Sequence, residues 1–279
     1  MRRVAVRRHP ERVEARELVD ELTAWLTERD HEVVDRVDGA DLVVSVGGDG
    51  TMLRAVDEAA RHGVPVLGIN VGQLGYLTEV DPDHWREALE QWEAGRTKVV
   101  ERMLLAVRVV CGGGSPITPP GDDAPEPLDD GTYLALNEVV LEKTPTGRMV
   151  RLGVVLDGES FTTYAADGMI VGTPTGSTAY ALSARGPIVD PTHRALVLAP
   201  VAPHSLFDRA LVLSPTTEVR LVVEGDRPAT VSIDGRSVGQ IGVGDVVVAT
   251  AADRSAQLVT FGDRNFHGIL KAKFGLNDR

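Results

Sequence analysis

Two segments of the chain hold residue types that could handle phosphate. The first is Leu42–Arg54, LVVSVGGDGTMLR. Its apolar start, Leu42–Val46, suits a buried parallel strand, a glycine-rich turn follows, and Thr51–Arg61 carries a helical pattern. Gly47, Gly48 and Gly50 permit positive φ and let another group come close to the backbone. A helix N-terminus just beyond would aim free N–H groups and a partial positive charge at the turn, making an anion site whose usual occupant is phosphate. The carboxyl end of a parallel strand is also where open α/β sheets bind ligands. The segment is neither G-x-x-x-x-G-K-[ST] nor G-x-G-x-x-G. Asp49 stands at its centre, where a carboxylate would repel phosphate. It makes sense against a hydroxyl or a phosphate-bound metal, or else as the cap of a helix starting near Thr51. Arg54, about one turn into that helix, is placed either to reach an anion or to stay solvated.

The second segment is Ala166–Gly186, ADGMIVGTPTGSTAYALSARG. Met169–Val171 reads as a strand, GTPTGSTA as a small-residue turn, and TAYALSA as the start of a helix. Thr173, Thr175, Ser177 and Thr178 offer neutral donors, Tyr180 a flat surface for a base, and Asp167 a carboxylate just upstream. No G-x-S-x-G elbow is present, which excludes a serine hydrolase of that kind. Asn137–Glu138 interrupts the apolar strand YLALNEVVL, and exposure on an outer face is the simplest reading of that pair. Asp234–Gly235 in VSIDGRSV fits a type I′ hairpin turn. The histidines are scattered, without H-E-x-x-H or Cys/His ligand spacing, so a structural zinc is not expected. A metal acting here would be Mg²⁺ arriving with nucleotide phosphates.

These segments need elements to position them. In the first third, strand signals at Arg3–Arg7, Leu42–Val46 and Pro65–Asn70 alternate with helical ones at Thr51–Arg61, at Asp83–Glu93 and in a run opened by Pro10. That run sets Leu18, Leu22, Trp25 and Leu26 on one face. The alternation predicts an α/β domain with a parallel sheet. From Met103 to about Phe261 the chain is rich in β runs separated by turn signals, which predicts a second, mainly β domain. Residues 112–131, rich in Gly, Pro and Asp, read as an exposed, mobile insertion. The final segment, helical at its start, is expected to pack back on the first domain. The boundaries are therefore 1–103 with 266–279 for the α/β domain, and 104–265 for the β domain.

At 279 residues the chain is long enough for a sizeable core. A net charge of −12 argues against a nucleic-acid or anionic-membrane binder, though not against a local cationic pocket. The sole cysteine, Cys111, excludes an intrachain disulfide and reads as a small hydrophobe. No apolar run approaches about 18 residues and no signal peptide is visible, so the expected location is the cytoplasm.

GGDGT at 47–51, Asn137–Glu138, and D-G-x-I-x-x-T-P-T-G-S-T-A-Y across 167–180 occur in one order, and together they closely resemble the NAD kinase family. GGDGT is shared with diacylglycerol and sphingosine kinases, and 6-phosphofructokinases carry a related GGDG; GTPTGSTAY with the upstream NE is the specific part. The resemblance runs from about Arg3 to Leu270 and departs at 112–131. It implies a diacylglycerol kinase/phosphofructokinase-like fold, with an α/β N-terminal domain holding a parallel sheet and a mainly β C-terminal domain for NAD binding and oligomerisation.

The implied reaction moves the γ-phosphoryl of ATP to the 2′-hydroxyl of the adenosine ribose of NAD, giving NADP. Some bacterial members are similar but also accept inorganic polyphosphate. By carry-over, Asp49 would contact the 2′-hydroxyl and accept its proton, Gly50 and Arg54 would line the same pocket, and Gly47, Gly48, Gly50 and Thr51 would hold the donor phosphates. Asn137 and Glu138 would bind the dinucleotide, reversing the outer-face reading. Asp167 would position the nicotinamide end, and Thr178, Ala179, Tyr180, Ala181, Leu182 and Ser183 the adenosine half. Arg148 stands where several members place an NAD contact. Ala202 would serve a neighbouring subunit, since the family is typically dimeric or tetrameric. The resemblance thus implies NAD and ATP or polyphosphate as ligands, Mg²⁺ or another divalent cation with ATP and no tightly bound metal. It also implies a homodimer or homotetramer, with no nucleic acid and no membrane. Two readings compete with it: a lipid or sugar kinase sharing the GGDGT loop, and a non-catalytic nucleotide sensor, against which an intact Asp49 argues.

Overall fold

The structure, a computed structural model, describes residues 1–72, 75–113, 123–144, 148–262 and 266–276. The chain forms two compact units, Met1–Glu101 with Ser255–Arg279, and Arg102–Arg254.

The first unit alternates β1 (Arg3–Arg8), α1 (Val13–Glu28), β2 (Glu32–Val34), β3 (Leu42–Gly47), α2 (Asp49–His62), β4 (Val66–Asn70) and α3 (Trp85–Glu93). Its strands pair in parallel in the order β2-β1-β3-β4. Every residue of β3 and β4 is buried, which is why both read as continuous apolar runs without alternation. Val44, Val46, Leu67 and Ile69 meet Leu22 and Leu26 of α1 and Trp85 and Leu89 of α3 in one core. Two helix starts differ from the sequence reading. α1 begins at Val13, and Pro10 belongs to the loop after β1. α2 begins at Asp49, two residues early, with Gly48 at its N-cap and Gly63 (φ +67°) ending it.

The second unit is built from β5 (Lys98–Val110), β6 (Tyr133–Ala135), β7 (Glu138–Lys143), β8 (Val150–Leu156), β9 (Glu159–Ala166) and β10 (Gly168–Gly172). A 3₁₀ turn (Thr175–Thr178) and one turn of helix, α4 (Tyr180–Ser183), come next. There follow β11 (Leu196–Val201), β12 (Leu211–Leu213), β13 (Val219–Glu224), β14 (Ala229–Ile233), β15 (Arg236–Ile241) and β16 (Val246–Thr260). One antiparallel sheet runs β12-β11-β10-β7-β14-β15. A second antiparallel set joins β16, β13, β8 and β9. Leu141, Met169, Val171 and Val231 of the first face Leu152, Tyr164, Leu221 and Val247 of the second across a shared core.

The sequence reading returned the chain to the first unit at 266, whereas the compact units change at Ser255. The reason is β16: its first residues pair with β13, and Leu258 pairs in parallel with Val66 of β4. Helix α5 (Phe266–Phe274) also belongs to the first unit and buries none of its residues. Within the 112–131 insertion, residues 114–122 lie outside the described residues; of the rest most are exposed, but Pro125 is buried. Cys111 is half-buried and packs against the β core.

Candidate functional site

In the first unit, β3 delivers the chain into the head of α2. A Cβ on Gly47 would run into the side chain of Thr51, so this position needs glycine for close approach. Among the described residues a Cβ on Gly48 or Gly50 would meet nothing within 4 Å, so the backbone there is open to close approach. None of the three adopts positive φ, so the conformational reason expected from sequence does not operate. The helix has no side-chain cap, so Asp49 is not its cap either.

Asp49 has another task. Its Oδ2 accepts the Tyr76 N–H at 2.8 Å and its Oδ1 the Leu77 N–H at 3.0 Å. The loop after β4 passes so close that a Cβ on Gly75 would collide with this carboxylate. Two charge-assisted bonds therefore fix the carboxylate plane and leave each oxygen a further lone pair to offer. Burial, then the negative charge of Asp49, pushes the Tyr76 phenol up. The Lys273 ammonium of α5 sits 4.1 Å from the centre of the Tyr76 ring. The sequence reading missed Gly75, Tyr76 and Leu77; the signal was that they follow β4, the parallel neighbour of β3, at the same carboxyl edge.

The head of α2 opens on a cavity of about 440 Å³ lined by His9, Arg12, Gly48, Gly50, Thr51 and Arg54, with Pro10 and Glu11. Arg12 donates to the carbonyl of Val71, and Arg54 is exposed on the cavity wall. His9 and Arg12 were also missed, because the adjacency of β1 and β3 that brings them here is a matter of strand order.

In the second unit the outer-face reading of Asn137–Glu138 fails: Glu138 is only 6% exposed. Its Oε2 has no hydrogen-bond partner among the described residues, and the Tyr180 N–H donates to its carboxyl. Burial, reinforced by the neighbouring charge of Asp234, pushes the Glu138 carboxyl up to about 8. Asp234 does sit in a left-handed hairpin turn with Gly235, at φ +47° and +77°. Its carboxylate also accepts N–H bonds from Leu136 (2.8 Å), Asn137 (2.8 Å) and Glu138 (3.0 Å). Burial raises Asp234 to about 6, against the lowering effect of those three donors.

The 173–183 segment behaves differently from its sequence reading. Thr173 Oγ1 donates to the Leu136 carbonyl at 2.6 Å, Ser177 Oγ to the Pro174 carbonyl at 2.7 Å, and Thr178 Oγ1 to the Thr175 carbonyl at 3.2 Å. These hydroxyls are engaged locally, as small polar residues in turns commonly are. Thr175 Oγ1 is buried without a partner among the described residues. The small-residue turn contains a 3₁₀ turn, Thr175–Thr178, and the helix expected to start in TAYALSA is the four residues of α4. The Tyr180 hydroxyl donates to Glu142 Oε1 at 2.8 Å, and burial followed by that bond pushes the phenol up to about 12. Ala181 is wholly buried beside Val140 and Ile170, Leu182 is half-buried and Ser183 is exposed.

Asp167 pairs with Lys143 Nζ at 2.6 Å, and its N–H donates to the Val201 carbonyl. Ala202, next in line, holds a left-handed φ of +43°. Arg148 stands exposed ahead of β8. Among the described residues no group of three or more His, Cys, Asp or Glu side chains could hold a metal, and no helix is long and apolar enough to cross a membrane.

A bare glycine turn at the head of a helix, at the carboxyl edge of a parallel sheet and with a firmly oriented carboxylate beside it, is the framework of an α/β protein that handles nucleotide phosphates. Known proteins narrow that class. Residues 6–97 match the family model "ATP-NAD kinase N-terminal domain", and residues 136–261 match "ATP-NAD kinase C-terminal domain". The NAD kinase of Heliobacterium modesticaldum is 42% identical over 243 residues, covering 87% of this chain and 81% of that protein. NAD kinase 1 of Streptomyces avermitilis is 39% identical over 281 residues, covering 92% and 79%. The crystal structure of an NAD kinase from Archaeoglobus fulgidus in complex with ATP superposes with a TM-score of 0.75 at 25% identity, covering 99% of this chain and all of that one. Yeast NADH kinase complexed with NADH shares the fold, with a TM-score of 0.86 at 24% identity over 100% of this chain and 89% of that one. The chain belongs to the NAD kinase family.

Proposed function

We propose that this protein transfers the γ-phosphoryl of ATP to the 2′-hydroxyl of the adenosine ribose of NAD, giving NADP and ADP. Family membership supports the reaction, and its relatives' names set aside the lipid or sugar kinase. The observation that carries the mechanism is the grip of the Tyr76 and Leu77 N–H groups on Asp49.

A carboxylate is far too weak a base to strip a ribose hydroxyl beforehand. Phosphoryl transfer, however, has a loose transition state in which that proton leaves late. Asp49 orients the hydroxyl. As the ribose O–P bond forms and the bond to the leaving ADP oxygen breaks, Asp49 takes the proton. Gly47, Gly48, Gly50 and Thr51 hold the donor phosphates through backbone N–H groups, with Arg54 adding charge. A single carboxylate beside phosphate oxygens suits Mg²⁺, which takes one or two protein carboxylates and completes its shell with phosphate and water. Brought in with ATP, that cation would neutralise charge on the transferring group.

Asn137, Glu138 and Arg148 contact the dinucleotide in this reading. Asp167 holds its nicotinamide end and Thr178–Ser183 its adenosine half. The buried, unpartnered Glu138 Oε2 supports a ligand contact there, because leaving such an atom unpaired is costly. Ala202 serves a neighbouring subunit of a homodimer or homotetramer. Exposed Leu206, Phe207, Phe161 and Val212, on the same unit as Ala202, support association. The test is to mix the protein with NAD, Mg²⁺ and either ATP or polyphosphate, and to follow NADP with an NADP-specific dehydrogenase. NADP formation is expected with ATP, and the polyphosphate arm identifies a second donor. No NADP from folded protein with either donor would contradict the reading.

A further inference from the structure

We propose that Asp234 is a positioning residue for dinucleotide binding: its carboxylate fixes the backbone link between β6 and β7 that presents Asn137 and Glu138. The proposal rests on the reading of that pair as dinucleotide contacts.

The hairpin itself does not require a carboxylate. A two-residue turn with both φ values positive takes Asn-Gly at least as readily as Asp-Gly. What requires it is the convergence of consecutive N–H groups. β6 ends at Ala135 and β7 starts at Glu138, so Leu136 and Asn137 lie outside both strands. Their N–H groups would be left without acceptors inside the unit if Asp234 did not take them, Leu136 on Oδ2 and Asn137 with Glu138 on Oδ1. The Asp234 N–H donates back to the Glu138 carbonyl at 3.0 Å. Successive backbone N–H groups of this kind form an anion-binding concavity, here filled from within the protein.

The opposite side of the link is pinned as well. The Thr173 hydroxyl donates to the Leu136 carbonyl, and the Thr173 N–H to the Asn137 carbonyl at 2.8 Å. Gly176 packs so closely on Asn137 that a Cβ there would overlap its carbonyl. The link is thus clamped between the hairpin tip and the 173–176 turn, and Glu138 emerges from it buried with Oε2 unpaired. A small shift of the link would move that atom, so the geometry offered to the ligand depends on Asp234.

Asp234→Asn tests this with little change of shape. The carboxamide keeps one acceptor oxygen and turns a donor toward a backbone N–H, so one bond is lost and one N–H orphaned. The expected result is a KM for NAD raised by roughly tenfold or more, the order of one lost bond to a charged group, with the KM for ATP and kcat at saturating NAD little changed. Val231→Ala, a core truncation in β14 away from the link, should lower Tm while leaving the KM for NAD unchanged. Equal KM effects from both variants, or none from a folded Asp234→Asn, would overturn the proposal. If Asp234→Asn does not fold, Thr173→Val loosens the link from its other side, and the same KM split is expected; an unmoved KM for NAD there would overturn it too. Asn137→Ala separates the two levels. A raised KM in Asn137→Ala with an unmoved one in Asp234→Asn defeats the positioning role alone, whereas unmoved values in both defeat the dinucleotide reading of the pair.

Discussion

At the scale of single residues, the fate of a side chain follows from what its polar atoms find. Glu138 finds little water and the like charge of Asp234, which outweigh its one backbone N–H, so its proton is held to about 8. In the unfolded chain the same group titrates near 4.5. The folded state therefore binds more protons across that window, and stability must fall as pH rises from about 4.5 through about 8. The prediction is comparative: relative to Glu138→Gln, ligand-free wild-type protein loses Tm over that range. Melting curves whose pH dependence is parallel for the two proteins would contradict it. Asp234 is raised in the same direction but is present in both proteins, so it does not disturb the comparison. The burial of Glu138 was not legible in the sequence. YLALNEVVL tells nothing of a hairpin whose Asp234 lies 97 residues beyond Asn137, and two polar residues in an apolar strand then read as an exposed edge. Asp49 was legible as the odd member of its loop, but its two partners in the loop after β4 were not.

At the scale of elements, strand–turn–helix at Leu42–His62 was read closely because each local signal agreed: a fully apolar strand, a glycine turn and a strong helical pattern. At 173–183 the order of turn and helix start was legible, but not that the helix stops after four residues or that the turn hydroxyls are taken up by nearby carbonyls. The glycines of the first loop have distinct reasons, and this separates their variants. Gly47→Ala forces a methyl into Thr51 and should destabilise by about 1–3 kcal/mol, the usual range for overpacking. Gly48→Ala has room in the folded protein, so its Tm should stay close to wild type while the KM for ATP rises, as a methyl now stands over bare backbone. Thermal melts and initial-rate kinetics on the pair check both halves. Equal losses of Tm would show that the two glycines share one structural role.

At the scale of the whole molecule, the change from α/β to β was legible because hydrophobic patterning and turn spacing change together near Met103. The return to the first unit was set eleven residues late, at 266 against Ser255, since nothing in a long β run marks where its pairing partner changes. Association belongs to this scale too. Leu206 and Phe207 are exposed on a unit whose other apolar residues are largely inside, and Phe207 packs edge-on against Phe161 at 5.9 Å. Light scattering should report a dimer or tetramer for the wild type, and Phe207→Asp should shift it toward smaller species. A monomer at micromolar concentration would contradict the oligomer.

In the proposed reaction one carboxylate, oriented by two backbone N–H groups, receives the proton of the phosphorylated hydroxyl. The most direct test is NADP formation by Asp49→Asn at saturating NAD and ATP, beside NAD affinity measured by calorimetry. The carboxamide keeps the size of the side chain, loses its basicity and gives up one of the two backbone N–H bonds that orient it. The expected result is a folded variant whose kcat falls by about 10²–10⁴, the range of general-base contributions, with NAD affinity little changed. Turnover near that of the wild type would contradict it.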